Sequence, residues 1–179
     1  MVDLRSTIGP NRHICRMWSI MTRFLILFSL ILSISSSPVM SQLFNRGQFA
    51  RDLTMGIEWM RCSVGQRWSE DTQSCLGDII PLDFDLIDQA ITQANAQLGG
   101  GWRLPTEDEL AVLICSECGM PMIDPKTFPN TWPDSYWTSD RNSMSSRHQV
   151  SVNFRTGYSY ARFLRTQLLA VRLVRDSKR

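Results

Sequence analysis

Two helical patterns separated by three glycines constrain the fold of this chain more than any other feature. Between Asp85 and Leu98 an apolar residue recurs every three or four positions, which predicts an amphipathic helix. The residues of this apolar stripe are Ile87, Ala90, Ile91, Ala94 and Leu98. Thr106 and Glu109 form a Thr-x-x-Glu capping box, which predicts a second helix that starts after Thr106 and runs to about Ile114.

The segment between the two helices, "GGGWRLP", predicts a tight reversal followed by a crossing of the core. Glycines at positions 99 to 101 adopt backbone conformations that other residues avoid. Trp102 and Leu104 flank Arg103, so we expect both apolar side chains to be buried. Arg103 then points the other way or reaches an acidic partner, and its spacing alone indicates no catalytic role.

Strand patterns follow the second helix. Residues 148–157, "HQVSVNFRTG", alternate apolar and polar side chains and end in a turn signal. The apolar face is Val150, Val152 and Phe154, and the predicted outward face is Ser151, Asn153 and Arg155. "YSYARFL" and "LLAVRLVR" continue the pattern, the latter with Leu169, Val171 and Leu173 on one face. With a short strand at Ile57 to Trp59, these predict an α+β domain with two helices packed on antiparallel meander strands.

The N-terminal part predicts a secretory signal peptide. Residues 24–34, "FLILFSLILSI", carry no charge and are too short for a membrane-spanning helix, which needs about 20 apolar residues. Arg23 precedes the run, and Val39 and Ser41 fit the −3 and −1 positions of a cleavage site before Gln42. An uncleaved anchor helix is the alternative.

The chain therefore divides into an N-terminal extension with a signal peptide at 1–41, a lead segment at 42–55 and one domain at 56–179. Translation starts at Met1 or at Met21. The predicted destination is the periplasm, the cell surface or the medium, with no stable membrane span after cleavage.

Four cysteines remain after the predicted cleavage, and in an exported chain an even number favours disulfide bonds. We favour the local pairs Cys62–Cys75, closing a hairpin or loop at "SVGQRWSEDTQS", and Cys115–Cys118; two long crosslinks are the alternative. A zinc site is disfavoured, because twelve residues separate Cys62 from Cys75 and His148 is the sole histidine after residue 42. A redox site is disfavoured because "CSEC" follows a helix instead of starting one.

Charge is distributed asymmetrically along the domain. Residues 42–140 contain 6 Lys and Arg against 15 Asp and Glu, so 6 − 15 = −9. Residues 141–179 contain 9 against 1, so 9 − 1 = +8. Such a charge asymmetry gives information about binding partners and little about the fold. Either the two parts neutralise each other, or the basic part binds an anion.

Several segments together resemble one bacterial family. They are, in order, "WMRCSVGQRW", "GGGWRLPTEDELAVLI", "IDPKTFPN", "YWTS", "VSVNFRTG" and "AVRLVR", and the resemblance covers Gly56 to Asp176. The family is typified by the C-terminal domain of the Legionella collagen-like adhesin. The resemblance implies a fold akin to C-type lectin-like domains and the formylglycine-generating enzyme group, and a role in binding sulfated glycans and in adhesion. Unlike the adhesin, this chain has no collagen-like Gly-x-y tract, so a trimeric stalk is not implied.

The leading hypothesis is a recognition domain for an anionic glycan or another polyanion. Arginine forks match sulfate and phosphate oxygens, and tyrosines can stack on sugar rings. The candidate ligand-binding residues are Arg141, Arg147, His148, Arg155, Tyr158, Tyr160, Arg162 and Arg165. No nucleic-acid partner and no cofactor are predicted.

Two other classes of function are alternatives to glycan binding. An enzyme needs a nucleophile with a base or paired carboxylates, and neither has a diagnostic spacing here. We therefore expect no enzymatic activity. A protein-binding component of an envelope machine, such as a pilus or secretion apparatus, would use the aromatic, proline-rich loop from Met120 to Asp140. Asp124, Asp134 and Asp140 in that loop match no calcium-binding motif.

Overall fold

The computed structural model describes residues 43–177, so the predicted signal peptide and both candidate start sites lie outside the described residues. Nine strands and two helices form an α+β domain within this range, as the sequence predicts. The strands are β1 (Leu43–Arg46), β2 (Phe49–Asp52), β3 (Ile57–Met60), β4 (Arg67–Ser69), β5 (Ser74–Leu76), β6 (Ser135–Arg141), β7 (His148–Asn153), β8 (Tyr158–Leu164) and β9 (Val174–Asp176). The helices are α1 (Ile87–Leu98) and α2 (Glu107–Ala111), and a 3₁₀ turn covers Ser116–Cys118.

The first sheet joins both ends of the described chain. Its strand order is β1-β2-β3-β9, and every neighbouring pair is antiparallel. Strand β9 completes the sheet by pairing Val174 with Trp59 of β3. The predicted lead segment at 42–55 thus contains two strands of this sheet, which the short, mixed sequence around Gly47 did not signal.

The second sheet is the predicted antiparallel meander, with strand order β6-β7-β8. The expected continuation of this meander through residues 169–173 is wrong. That segment makes isolated bridges instead, from Leu169 to Leu82 and from Ala170 to Tyr136, before the chain enters the first sheet as β9. A small β4-β5 hairpin stands apart from both larger sheets.

Residues 169–174 lie between two hydrophobic clusters and are buried throughout. Ala170 and Val174 belong to one cluster, which also holds Trp59, Leu110, Tyr136 and Phe154. Leu169, Val171 and Leu173 belong to the other, with Trp102, Leu104 and Trp137. The alternation predicted for Leu169, Val171 and Leu173 is confirmed, because each face of this extended segment contacts a different cluster.

Both predicted helices are present, and the apolar stripe of the first faces the core through Ile87 and Ala94. The capping box is formed: the Thr106 side chain accepts a hydrogen bond from the Glu109 backbone N–H at 3.1 Å, and the Glu109 carboxylate accepts from the Thr106 N–H at 2.8 Å. The second helix ends at Ala111, one turn earlier than predicted. Gly99 adopts a positive φ of 82°, which the reversal after α1 requires.

The two local disulfides predicted from the sequence are formed, with Cα–Cα separations of 5.5 Å for Cys62–Cys75 and 5.4 Å for Cys115–Cys118. The first links the end of β3 to the β4-β5 hairpin that the sequence predicted as a hairpin or loop. Such bonds fit an extracellular or envelope domain. None of the helices within residues 43–177 combines the length and the apolar character needed to cross a bilayer.

Candidate functional site

The β6-β7-β8 sheet gathers most of the predicted ligand-binding residues at one end. Because neighbouring strands are antiparallel, the end of β6, the start of β7 and the end of β8 share that end. Register confirms this, since Arg141 pairs with Gln149 and His148 pairs with Leu164. We call this group the basic end, and its members are Arg141, Arg147, His148, Arg162 and Arg165.

The other three candidates lie toward the opposite end of the same sheet. Arg155 follows β7 in the turn, and Tyr158 starts β8 with 70% of its surface exposed. Tyr160 connects the two groups along β8: its hydroxyl donates to Thr156 at 3.1 Å, and the Arg162 guanidinium lies 4.8 Å from its ring centroid. The eight residues therefore occupy one sheet but two regions, and they form no single pocket.

The ion pairs show which basic residues are neutralised by the acidic part of the chain. Arg165 contacts Asp85 at 2.5 Å, and Arg175 contacts Glu58 at 2.5 Å. Arg165 also lies over the Phe84 ring, 4.3 Å from its centroid, which holds the guanidinium against the segment ahead of α1. Internal neutralisation is thus real for these two arginines.

Four exposed arginines of residues 141–177 have no carboxylate partner within residues 43–177. They are Arg141, Arg147, Arg155 and Arg162, and all four side chains are exposed. Arg155 donates from Nε to the Pro133 carbonyl at 3.1 Å, which leaves its two terminal nitrogens for solvent or a ligand. Three of the four, Arg141, Arg147 and Arg162, belong to the basic end.

The predicted outward face of β7 is wrong for two of its three residues. Ser151 has no exposed surface and Asn153 has 9%, whereas Arg155 is exposed as predicted. Strand β7 is the central strand, and its two faces lie against different clusters, because Tyr136 beside Val152 and Trp137 beside Ser151 belong to different cores. Asn153 is instead structural: its amide donates to Ser135 at 2.9 Å, and its oxygen accepts from the Arg155 and Thr156 N–H groups.

Sequence reasoning missed a fully buried arginine, Arg172. Its guanidinium donates to the Met60 carbonyl at 3.0 Å, to the Arg61 carbonyl, and to the Thr131 hydroxyl at 2.8 Å. It lies 4.7 Å from the Phe128 ring centroid, and desolvation by burial lowers its pKa. No carboxylate of residues 43–177 pairs with it, so this charge is unavailable to a ligand. The sequence signal for its burial was its position between Val171 and Leu173, within an apolar segment.

Arg103 reaches an acidic partner, which is one of the two outcomes expected for it. Two nitrogens contact the two Glu109 oxygens at 2.8 and 2.7 Å, and Asp176 lies 3.0 Å away. The hydrogen bond with Glu109 raises the pKa of Arg103 further. Burial pushes the pKa of Glu109 upward, but the bonds from Arg103 and Thr106 outweigh burial and lower it. Arg103 therefore ties α2 to β9 and is not an open anion site.

The described residues contain no group of three or more His, Cys, Asp or Glu side chains placed to hold a metal ion. The three loop aspartates, which match no calcium-binding motif, each accept a different hydrogen bond instead. Asp124 accepts from the Thr127 hydroxyl, Asp134 from the Ser135 N–H, and Asp140 from the Glu107 N–H.

The comparison with known families gives one match, to the Lcl C-terminal domain, over residues 48–175. No curated protein matches the chain. The matched range begins inside the predicted lead segment, just before β2, and ends within β9, so it takes in the basic end and both disulfides. The family predicted from "WRLPT", "YWTS" and "VRLVR" is confirmed: this chain belongs to the Lcl C-terminal domain family.

Proposed function

We propose that this adhesin-related domain is an exported, non-enzymatic recognition module of lectin-like type that binds an anionic glycan through the basic end of the β6-β7-β8 sheet. Membership of the Lcl C-terminal domain family supplies the link to adhesion. The observation that carries the proposal is the set of exposed arginines without a carboxylate partner. Of these, Arg141, Arg147 and Arg162 lie at the same end of the sheet, with Arg141 and Arg162 on its two opposite faces.

An arginine surface of this kind suits sulfate or carboxylate groups on an extended polymer. A guanidinium donates through several N–H groups in a fixed plane and stays charged at all relevant pH values. Because the arginines lie along a sheet and not in a pocket, the matching ligand repeats its charge along its length. Tyr160 beneath Arg162 adds an aromatic surface against which a sugar ring packs.

We also propose that the domain has no catalytic activity. His148 is the residue that would act as the base in an enzyme. The His148 Nδ1 lies 2.8 Å from the Ser145 hydroxyl, three residues earlier in the same turn. No carboxylate of residues 43–177 contacts the ring, so the third group that orients a catalytic base is missing from the described chain. The pair fits a turn contact that orders the loop between β6 and β7.

Retention on immobilised heparin across a salt gradient tests the proposal. The test variant is Arg141→Gln/Arg147→Gln/Arg162→Gln, and the matched control is Arg46→Gln/Arg67→Gln/Lys126→Gln, which removes the same charge from exposed positions elsewhere. We expect wild type to be retained and to elute with salt, since polyanion binding is salt-dependent. The test variant should elute at much lower salt than the control, and Arg155→Gln alone should shift elution only slightly.

Equal shifts in the two triple variants would show that net charge, not this surface, causes retention. Flow-through of wild type at low salt would contradict glycan binding and favour a protein partner. Two exposed side chains in the 120–140 loop support that second candidate, Met120 at 61% and Trp132 at 37% exposure. Pull-down with Trp132→Ala against wild type from solubilised envelope would then test it.

A further inference from the structure

A cleft far from the basic end has a lining of a different chemical kind. It has a volume of about 480 Å³ and lies between α1 and strands β2, β3 and β4. This volume falls within the roughly 300–1,000 Å³ range of small-molecule sites. Its lining includes the amides of Gln48, Gln66, Gln93 and Gln97 and the aromatic rings of Phe49 and Trp68.

The cleft exists because α1 presents small side chains on the side that faces the β4 strand. Ala90 and Ala94 lie one turn apart and line the cleft, together with Met60 and Leu173. A longer side chain at either alanine would fill the space between the helix and the sheet. Both alanines belong to the apolar stripe of α1, so the cleft lies over the part of the stripe where the side chains are small.

Four of the polar side chains that line this cleft are neutral amides. Gln48, Gln93 and Gln97 are exposed, and their side chains make no hydrogen bond to any of residues 43–177. Gln93 and Gln97 are four residues apart on α1, so their side chains project from the same face, with Cβ atoms about 6 Å apart. Arg67 is the one charged residue among the lining residues. Each amide offers a donor and an acceptor, which matches hydroxyl groups and leaves no charge to be neutralised.

Two aromatic side chains border the cleft, and both are held in place. The Phe49 ring centroid lies 5.3 Å from that of Trp102 and 5.0 Å from the Arg175 guanidinium. The Arg61 guanidinium lies 3.8 Å from the centroid of the Trp68 ring, and Arg61 is itself buried and bonded to the Lys126, Thr127 and Gly47 carbonyls. A second cleft of about 590 Å³ shares Gln48, Phe49 and Trp68 with the first. Its charged residues balance, with Arg46 and Arg175 against Glu58 and Glu70.

We propose that this amide-lined cleft binds an uncharged saccharide, with Gln48, Gln93 and Gln97 bonding to ring hydroxyls and Trp68 or Phe49 packing against the ring. The adjoining cleft gives a chain of several sugar units room to continue. None of the eight residues predicted for anion binding lines either cleft, so this site is separate from the basic end and does not depend on the function proposed for it.

Saturation-transfer-difference NMR with cellotetraose, chitotetraose and isomaltotetraose tests the site on the oxidised domain. The variant Gln93→Ala/Gln97→Ala removes two free amides and keeps a good helix former at both positions. The control is Gln89→Ala, the same change on the same helix at an exposed residue that does not line the cleft. A third variant, Ala90→Met, fills the cleft without touching a polar group.

We expect at least one neutral tetrasaccharide to receive saturation from wild type and from Gln89→Ala. Its dissociation constant should rise about tenfold in Gln93→Ala/Gln97→Ala, as expected when two modest hydrogen bonds are lost, and binding should be lost in Ala90→Met. Retention on heparin should stay unchanged in all three variants. No saturation transfer to any of the sugars with folded wild type, or equal transfer to the double variant, would overturn the proposal.

Discussion

The capping box at Thr106 and the ion pair at Arg103 share one carboxylate, so Glu109→Gln removes a charge that serves both. Glutamine keeps the volume and one acceptor oxygen, but it loses one of the two contacts with Arg103 and weakens the bond from the Thr106 N–H. Charge-assisted hydrogen bonds contribute about 1.5–3 kcal/mol each. The lower end applies here, because the Arg103 side chain is 38% exposed and keeps Asp176 as a partner. The lost contact with Arg103 therefore contributes about 1.5 kcal/mol and the weakened cap about 0.5 kcal/mol. The expected loss in the free energy of unfolding is about 2 kcal/mol at pH 7.

The loss should depend on pH in a definite direction. The pKa of Glu109 is lowered in the folded protein, so the stabilisation is present above the unfolded value of about 4.3 and is lost as pH falls through the folded value. Guanidinium unfolding of wild type and Glu109→Gln at several pH values, followed by circular dichroism, measures the difference. The control Glu107→Gln, in the same first turn, should cost only a few tenths of a kcal/mol at pH 7. A difference between wild type and Glu109→Gln that persists unchanged well below pH 4 would refute the reasoning.

Two further changes test the frame of the domain. Arg172→Ala removes a buried guanidinium and leaves two carbonyls unpaired beside a cavity. The free energy of unfolding should therefore fall by about 3–5 kcal/mol, as measured by denaturant titration. A loss below about 1 kcal/mol would contradict the structural role of Arg172. Cys62→Ala/Cys75→Ala should cost about 3 kcal/mol and Cys115→Ala/Cys118→Ala about 2 kcal/mol, because the first pair closes a longer loop. Thermal unfolding without reductant checks the order, and the reverse order would count against chain entropy as the cause.

Local patterns in the sequence predicted local structure well. The stripe of α1, the capping box of α2 and the two short-range disulfides each depend on residues near one another in the chain, and all are present. The burial of Trp102 and Leu104 followed from their position between two elements that both pack on the core.

What could not be predicted depends on long-range pairing. Ser151 and Asn153 are buried because both faces of β7 are covered, although an alternating pattern normally indicates a strand with one exposed face. The burial of Arg172 depends on carbonyls from β3 and its following turn, more than a hundred residues away. Likewise, the pairing of Arg165 with Asp85, while Arg162 has no ion pair within residues 43–177, is set by where β8 ends relative to α1.

The position of β9 also determines when the domain is able to fold during its synthesis. Residues 169–174 separate the two clusters and contribute to both, and β9 supplies the last neighbour of β3. A nascent chain that has not yet reached Leu169 therefore exposes Trp59 and Trp137 on unfinished surfaces, whatever local structure α1 has formed. We therefore expect the domain to fold only once this segment is available, in a nearly all-or-none step slowed by contacts between distant segments. A polypeptide interrupted shortly before residue 169 is expected to be a protease substrate and not a smaller stable domain.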